Sequence, residues 1–325
     1  MNYIKLIRPF NLLMIAVTMF LFRYCLVTTS TYRIFYISHI LSDTQFLLLV
    51  ASTIFIAAGG YVINDIFDVE IDAVNRPQKV IVGQSVSEVN AYNLYKILCG
   101  LGIISTLVLA FLSQNYRLST LPIIMMVILN FYAHTFKKQL IVGNFMISLC
   151  TAFVILLIAL FENSSNTGTV DEWYVRSGIA IAAIIYSLFA FLTTFLREII
   201  KDAEDVKGDE LAGARTIPNV YGSKGTKIAS VVIVILLLLI IGSFAMFFPS
   251  IQIKKVSLFI VIGLVLPLLM IIFFIFRAKS TQNYHFVSNL IKVFMCLGIA
   301  TMLYFRSGIG PYLFVQYVNF INKLF

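Results

Sequence analysis

Nine stretches of this chain are apolar enough, over roughly 20 residues each, to cross a lipid bilayer, and nothing else in the sequence constrains the fold as much. They cover about 9–29, 44–64, 90–112, 118–134, 142–161, 175–196, 228–248, 256–276 and 286–305. Hydrocarbon offers a backbone N–H or C=O no partner, so a spanning segment must satisfy its own hydrogen bonds. An α-helix does this within itself. The apolar side chains form no narrow stripe, as expected of helices surrounded by lipid and by one another. Composition agrees: 60% of the 325 residues are hydrophobic and 12% charged, against about 45–50% and about 25% in a soluble domain. The linkers are short and turn-like, as at Asn75-Arg76-Pro77, Ser113-Gln114-Asn115, Asn163 to Gly168 and Pro249-Ser250. The expected fold is all-α, a polytopic membrane bundle of about nine transmembrane helices forming a single domain over residues 1–325.

The formal net charge of +9 does not point to nucleic acid, because the cations lie between the apolar stretches, where membrane topology explains them. Taking the N-terminus and every second linker as one face gives that face fourteen Lys/Arg and the other eight, Arg23, Lys254 and Lys255 among them. The richer face should be cytoplasmic. The four cysteines and three histidines are scattered singly, which argues against a zinc or haem site. The N-terminal apolar run is long and has no small-x-small cleavage site after it, so it reads as a span rather than a signal peptide.

Six of the eight aspartates fall in two short segments. Asp65, Asp68 and Asp72 form the first, led by Asn64; Asp202, Asp205 and Asp209 form the second. Both have the spacing Asp-x₂-Asp-x₃-Asp, and each aspartate of the second follows its counterpart in the first by 137 positions. Four spans lie between, so both segments emerge on one face, which suggests an internal pseudo-repeat. Residues at i, i+3 and i+7 share a helix face. Three carboxylates there repel one another beside an apolar bundle unless a cation gathers them. Mg²⁺ suits them, since it binds oxygen and commonly takes one or two carboxylates plus substrate phosphate oxygens. A solvated acidic cap is the plainer reading of any one charge run, but an arrangement repeated at equal spacing on one face argues for a clamp on a diphosphate.

The neighbouring cations fit a polyanionic ligand. Arg76, Lys137 and Lys201 flank the motifs and could neutralise phosphate oxygens, although each also serves topology. Lys292 lies inside a span, where a lysine faces a polar cavity or snorkels to the interface. Asn11 and Asn64 are amides in apolar surroundings; Asn64 could bond a phosphate or orient Asp68, and Asn11 could equally serve helix packing. Tyr132 and Tyr61 lie near linker ends, where a ring face could stabilise a carbocation, with core packing the plainer role.

The segment Asn64-Asp65-x₂-Asp68-x₃-Asp72, continued by Asn75-Arg76-Pro77, Gly83 and Ser87, resembles the first signature of the UbiA superfamily of intramembrane prenyltransferases. The second aspartate segment and the stretch from Lys137-Lys138 to Gly143-Asn144 are similar to that family's other polar elements, so the resemblance spans nearly the whole chain. It implies transfer of a polyprenyl group from an allylic diphosphate, with the six aspartates catalytic and Mg²⁺-binding. Asn64 would support them, and Arg76, Lys137 and Lys201 would be candidates to neutralise the diphosphate. Residues 197–218 and the opening Ile7-Arg8-Pro9-Phe10-Asn11 look most like the branch that prenylates geranylgeranylglyceryl phosphate.

The expected partners are a polyprenyl diphosphate donor, a small lipid or aromatic acceptor and membrane lipid. An aromatic quinone precursor stays open as acceptor. The expected location is a bacterial cytoplasmic (inner) membrane, with the active site facing the cytoplasm. A transporter with a repeat and an ion site is the rival outside enzymes. It would place acids within the spans, whereas ten of the fifteen acids lie at 65–72 and 198–210.

Overall fold

The computed structural model describes residues 2–28, 40–164, 170–246 and 261–306, and every regular element of length among them is helical. We number the longer helices in chain order. They are α1 Pro9–Leu21, continued by a π-helical turn Phe22–Val27; α2 Asp43–Phe67; α3 Val69–Asn75; α4 Glu88–Ser113; α5 Leu121–His134; α6 Val142–Glu162; α7 Val170–Leu211; α8 Ile217–Met246; α9 Leu266–Arg277; and α10 Thr281–Ala300. The turn at Pro249-Ser250 and the lysines at 254 and 255 lie outside the described residues.

Seven helices among the described residues are long and apolar enough to cross a membrane: Pro9–Val27, Asp43–Phe67, Glu88–Ser113, Tyr116–His134, Val142–Glu162, Arg176–Leu211 and Ile217–Gly242. The protein is therefore an all-α, multi-pass membrane protein. The last two expected spans are less clear. The apolar helix Ile262–Arg277 is shorter than a full crossing. Helix α10 has the length but carries Gln282, Asn283, His285, Asn289 and Lys292, which dilute its apolar character.

The chain forms two compact units. The first comprises Met1–Val17, Leu41–Cys150 and Asp205–Gly222. Here α2 is started by a capping box: Ser42 Oγ accepts from Gln45 N (3.3 Å), and Gln45 Oε1 accepts from Ser42 N (2.8 Å). Helix α2 packs along α4 and α5. Small residues permit that approach, since a Cβ on Gly102 would sit 2.8 Å from Ile56 Cγ1, and one on Gly60 would sit 2.9 Å from Leu129 Cδ1. Val82 and Val86, from the loop between α3 and α4, drop into the same apolar cluster as Ile63, Ile66 and Leu98. A polar loop is thereby pinned to the helices below it.

The second unit comprises Thr18–Ile40, Thr151–Glu204 and Ser223–Phe325, and within it α9 packs on α10. Arg23, counted above with the cations of the cytoplasm-distant face, is 1% exposed. Its Nη1 lies 2.5 Å from Glu162 Oε1, and Ile40 N donates to Glu162 Oε2 at 3.0 Å. Neither charge could be buried alone, so burial selected a pair, which a count of cations per membrane face does not show.

Candidate diphosphate and metal site

The polar residues of the first unit gather where α2 ends. Helix α2 stops at Phe67 because Asp68 takes φ −93°, ψ 0°, the sparsely allowed bridge region where many active-site residues sit. The chain then re-enters a helix at α3. Asp65 and Asp72 thus lie on two helices either side of a break, and Asp68 sits at the break itself. Asp68 is 5% exposed. Asn64 Nδ2 donates to its Oδ2 at 2.7 Å, and Lys137 Nζ pairs with the same oxygen. Asn64 thus bonds the Asp68 carboxylate directly. Asp65 Oδ1 lies 2.5 Å from Arg8 Nη2. Asp72, half-buried on α3, accepts Arg76 N on its backbone oxygen at 2.7 Å.

Residues 205–211 of α7 belong to the same unit. Helix α7 has 42 residues and so runs about 63 Å, twice the roughly 30 Å of a hydrocarbon core. Its C-terminal turns, which carry the second motif, extend well past a crossing. Arg76 Nη2 reaches Asp205 at 2.8 Å (Oδ1) and 3.1 Å (Oδ2), so this cation joins the first motif's loop to the second motif. Asp209 is 6% exposed. Arg215 N donates to Lys138 O at 2.9 Å, which ties the loop after α7 to the one carrying Lys137.

The other expected residues divide as follows. Asn11 is half-buried on α1, and its backbone N donates to Arg8 O at 2.9 Å. Tyr132 is buried on α5. The Tyr61 ring lies 5.1 Å from the Arg8 guanidinium, so its face already attracts a cation of the protein itself. In the second unit, Asp202 is half-buried on α7 one turn before Asp205, and Lys292 is half-buried on α10. Lys201 Nζ lies 4.0 Å from Glu198 Oε2, and Arg197 donates to Glu198 Oε1 at 2.8 Å, so Lys201 faces a carboxylate of its own helix.

Three residues here carry more than their sequence context showed. Arg8 follows a short helical turn, Asn2–Leu6, and holds φ 51°, a left-handed conformation rare outside glycine. Burial works against its charge, but Asp65 foremost, then Tyr61 and Asp68, holds its pKa above the ordinary arginine value, so the guanidinium stays charged. Asn75 touches α7, as described below. Glu204 is buried and lies 2.9 Å from His285 Nδ1, within the second unit. No spacing rule links positions so far apart in sequence; the Ile7-Arg8-Pro9 and Asn75-Arg76-Pro77 punctuation hinted at Arg8 and Asn75 only.

Among the described residues no three carboxylates, imidazoles or thiols already converge as a metal cage. Asp65, Asp68 and Asp205 each meet a basic side chain instead. The donor chemistry nonetheless fits Mg²⁺, which needs only one or two carboxylates when phosphate oxygens complete its shell. Asn64 Oδ1 is also buried without a hydrogen-bond partner, an acceptor that a cation or its water would satisfy.

The profile of the UbiA prenyltransferase family matches residues 12–303. Digeranylgeranylglyceryl phosphate synthase of Methanothermobacter thermautotrophicus is 31% identical over 323 residues, covering 95% of this chain and 96% of that protein. The synthase of the same name from Sulfurisphaera tokodaii is 32% identical over 248 residues, covering 76% and 78%. Both organisms are archaeal, so these relatives lend no support to a bacterial inner membrane; the multi-pass membrane assignment stands.

Among solved structures, one concerning digeranylgeranylglyceryl phosphate synthase in membranes has a TM-score of 0.62 at 23% identity, covering 93% of this chain and 98% of that one. A UbiA homologue from Archaeoglobus fulgidus bound to DMAPP and Mg²⁺ has a TM-score of 0.53 at 17% identity, covering 93% and 99%. At those identities the structures speak for the fold. The profile match and the two relatives speak for descent, and with both aspartate motifs they place this chain in the UbiA prenyltransferase family.

Proposed function

We propose that this prenyltransferase moves a polyprenyl group, best read as geranylgeranyl, from its diphosphate to the hydroxyl of geranylgeranylglyceryl phosphate, with Mg²⁺ as cofactor. The observation that carries the reading is the meeting of Asp65, Asp68 and Asp72 with Asp205 and Asp209 in one unit, interleaved with Arg8, Arg76 and Lys137. Such a mixture of hard oxygen ligands and fixed cations suits a metal-bound diphosphate. The likeness along nearly the full length of a digeranylgeranylglyceryl phosphate synthase supports the acceptor.

In this reading the allylic C–O bond breaks with its electron pair leaving on the diphosphate. A new bond forms from the acceptor oxygen to the same carbon, and the hydroxyl proton is released. Mg²⁺, when bound, would supply a Lewis acid that takes up the charge growing on the leaving group. Asp65, Asp68, Asp205 and Asp209 would hold it, with Asp72 on α3 and Asp202 one turn earlier on α7 as the remaining acids of the two motifs. Asn64 keeps the Asp68 carboxylate in one orientation. Lys137 and Arg76 would meet phosphate oxygens, the arginine as a planar fork and the lysine as a point charge. Exposed apolar side chains along α4, such as Ile104, Leu107 and Phe111, suit a protein whose substrates arrive within the bilayer.

The same reading extends to topology. Helices α9 and α10 would add two crossings to the seven clear ones, giving nine, with the motif face cytoplasmic and the two motifs related by a pseudo-repeat over a single domain. The deciding experiment supplies purified protein and Mg²⁺ with geranylgeranyl diphosphate. One reaction receives geranylgeranylglyceryl phosphate and another 1,4-dihydroxy-2-naphthoate, with products read by mass spectrometry. A doubly prenylated glyceryl phosphate is expected. A prenylated naphthoate alone would move the enzyme to quinone synthesis.

A further inference from the structure

Asn75 is the last residue of α3 and sits three positions beyond Asp72. Its side-chain amide lies against the backbone of α7. Asn75 Nδ2 donates to Asp205 O at 3.0 Å, and Asn75 Oδ1 accepts from Gly208 N at 2.9 Å. Both polar ends of one planar amide are thus used on one turn of helix, which sets the height and the rotation of that turn together. Residue 208 has to be glycine for this. A Cβ there would fall 2.8 Å from Asn75 Cγ and closer still to Nδ2, inside any ordinary contact. The next residue, Arg76, grips the carboxylate of the same Asp205.

Two consecutive residues therefore hold one aspartate, Asn75 by its backbone and Arg76 by its side chain. Their loop is itself anchored, through Val82 and Val86, in the apolar cluster beneath the first motif. A salt bridge alone tolerates sliding, whereas a two-point amide contact against a glycine does not.

We propose that Asn75 is a positioning residue, whose amide wedged against Gly208 sets Asp205 and Asp209 in register with Asp65, Asp68 and Asp72 so that one diphosphate can engage both motifs. The proposal rests on the diphosphate reading above. Ligand-orienting partners of this kind typically change metal affinity or activity by about 10–100-fold when removed. Gly208→Ala is the informative counterpart to Asn75→Ala. It leaves every polar group in place and raises helix propensity, yet it evicts the amide.

The test uses the full-length protein in detergent and follows thermal unfolding against inorganic pyrophosphate at fixed Mg²⁺. Wild type should be stabilised in a saturable way. Asn75→Ala and Gly208→Ala should each need about 10–100-fold more pyrophosphate for half the effect, and the double variant should need no more than either single one, because both remove one contact. A merely structural role would lower the unfolding temperature without ligand and leave the half-saturating concentration unchanged; that result overturns the proposal while the diphosphate reading stands. If wild type itself ignores Mg²⁺ and pyrophosphate, the diphosphate reading fails, and this inference falls with it.

Discussion

The first aspartate motif straddles a break between two helices, whereas the second lies within the unbroken C-terminal turns of α7. Their spacing in sequence is identical, so the difference comes from what surrounds them. At the first motif, Asp68 adopts a bridge conformation and turns into a buried niche supplied by Asn64 and Lys137. At the second, Asp205 stays within a continuous helix and is gripped from outside by the loop that follows the first motif. Equal spacing therefore marks equal chemistry without marking equal geometry. One motif is held by its own Asn64 together with Lys137 and Arg8 from elsewhere in the chain, and the other by the loop that follows the first.

The largest effect tests what the two motifs share. Stripping divalent cations with a chelator should abolish turnover, and added Mg²⁺ should restore it; turnover that survives thorough chelation would break the metal reading for both motifs at once. Next come the aspartates. Asp68→Asn and Asp205→Asn should each lower turnover by roughly 10²–10³-fold, as expected when a group stabilising transition-state charge is lost. They should differ in stability. Asp68→Asn leaves Lys137, only 19% exposed, without its carboxylate and should cost up to about 3 kcal/mol. Asp205→Asn, gripped by Arg76 at a more open site, should cost ~1 kcal/mol. Equal losses by denaturation in detergent would erase the distinction drawn here.

A smaller effect is expected at the loop that links them. Arg76→Ala should raise the apparent donor requirement about 10–100-fold, and Arg76→Lys should recover part of it, since lysine keeps the charge but not the fork. Steady-state titration of the donor reads this directly. The smallest effect belongs to the backbone at Arg8, which sits at φ 51°. Arg8→Ala and Arg8→Gly both lose the Asp65 pair, but only alanine retains the left-handed cost, so the glycine variant should be more stable by about 1 kcal/mol. The comparison of unfolding temperatures isolates strain from charge.

The expected residues fared according to how local their signals were. Asn64 and Asp68 are four positions apart, one turn, so their bond was readable from helical spacing. Arg76 and Lys137 were recognised as cations near carboxylates, but their targets are 129 and 69 positions away, and spacing rules say nothing at that range. Arg23 was assigned to a membrane face because charge bias is counted without regard to burial; in the fold it is paired inside with Glu162. Lys201, another cation near carboxylates, lies 4.0 Å from Glu198 one turn back on its own helix. Helix α10 fell short of a clear span because its polar residues lie on the same 20-residue stretch as its apolar ones.

By itself the sequence determined that this chain lives in a membrane as helices. Runs of apolar residues leave the backbone no other way to satisfy its hydrogen bonds in hydrocarbon. It also pointed to the chemistry, since six aspartates at repeated spacing repel one another unless cations, of side chains or of a metal, lie among them. Only the tertiary structure decided which carboxylate meets which base, where α2 breaks, and that an asparagine must lie against a glycine 133 residues away. Those outcomes depend on packing between segments remote in sequence, and their contact energies do not exist until the segments are brought together.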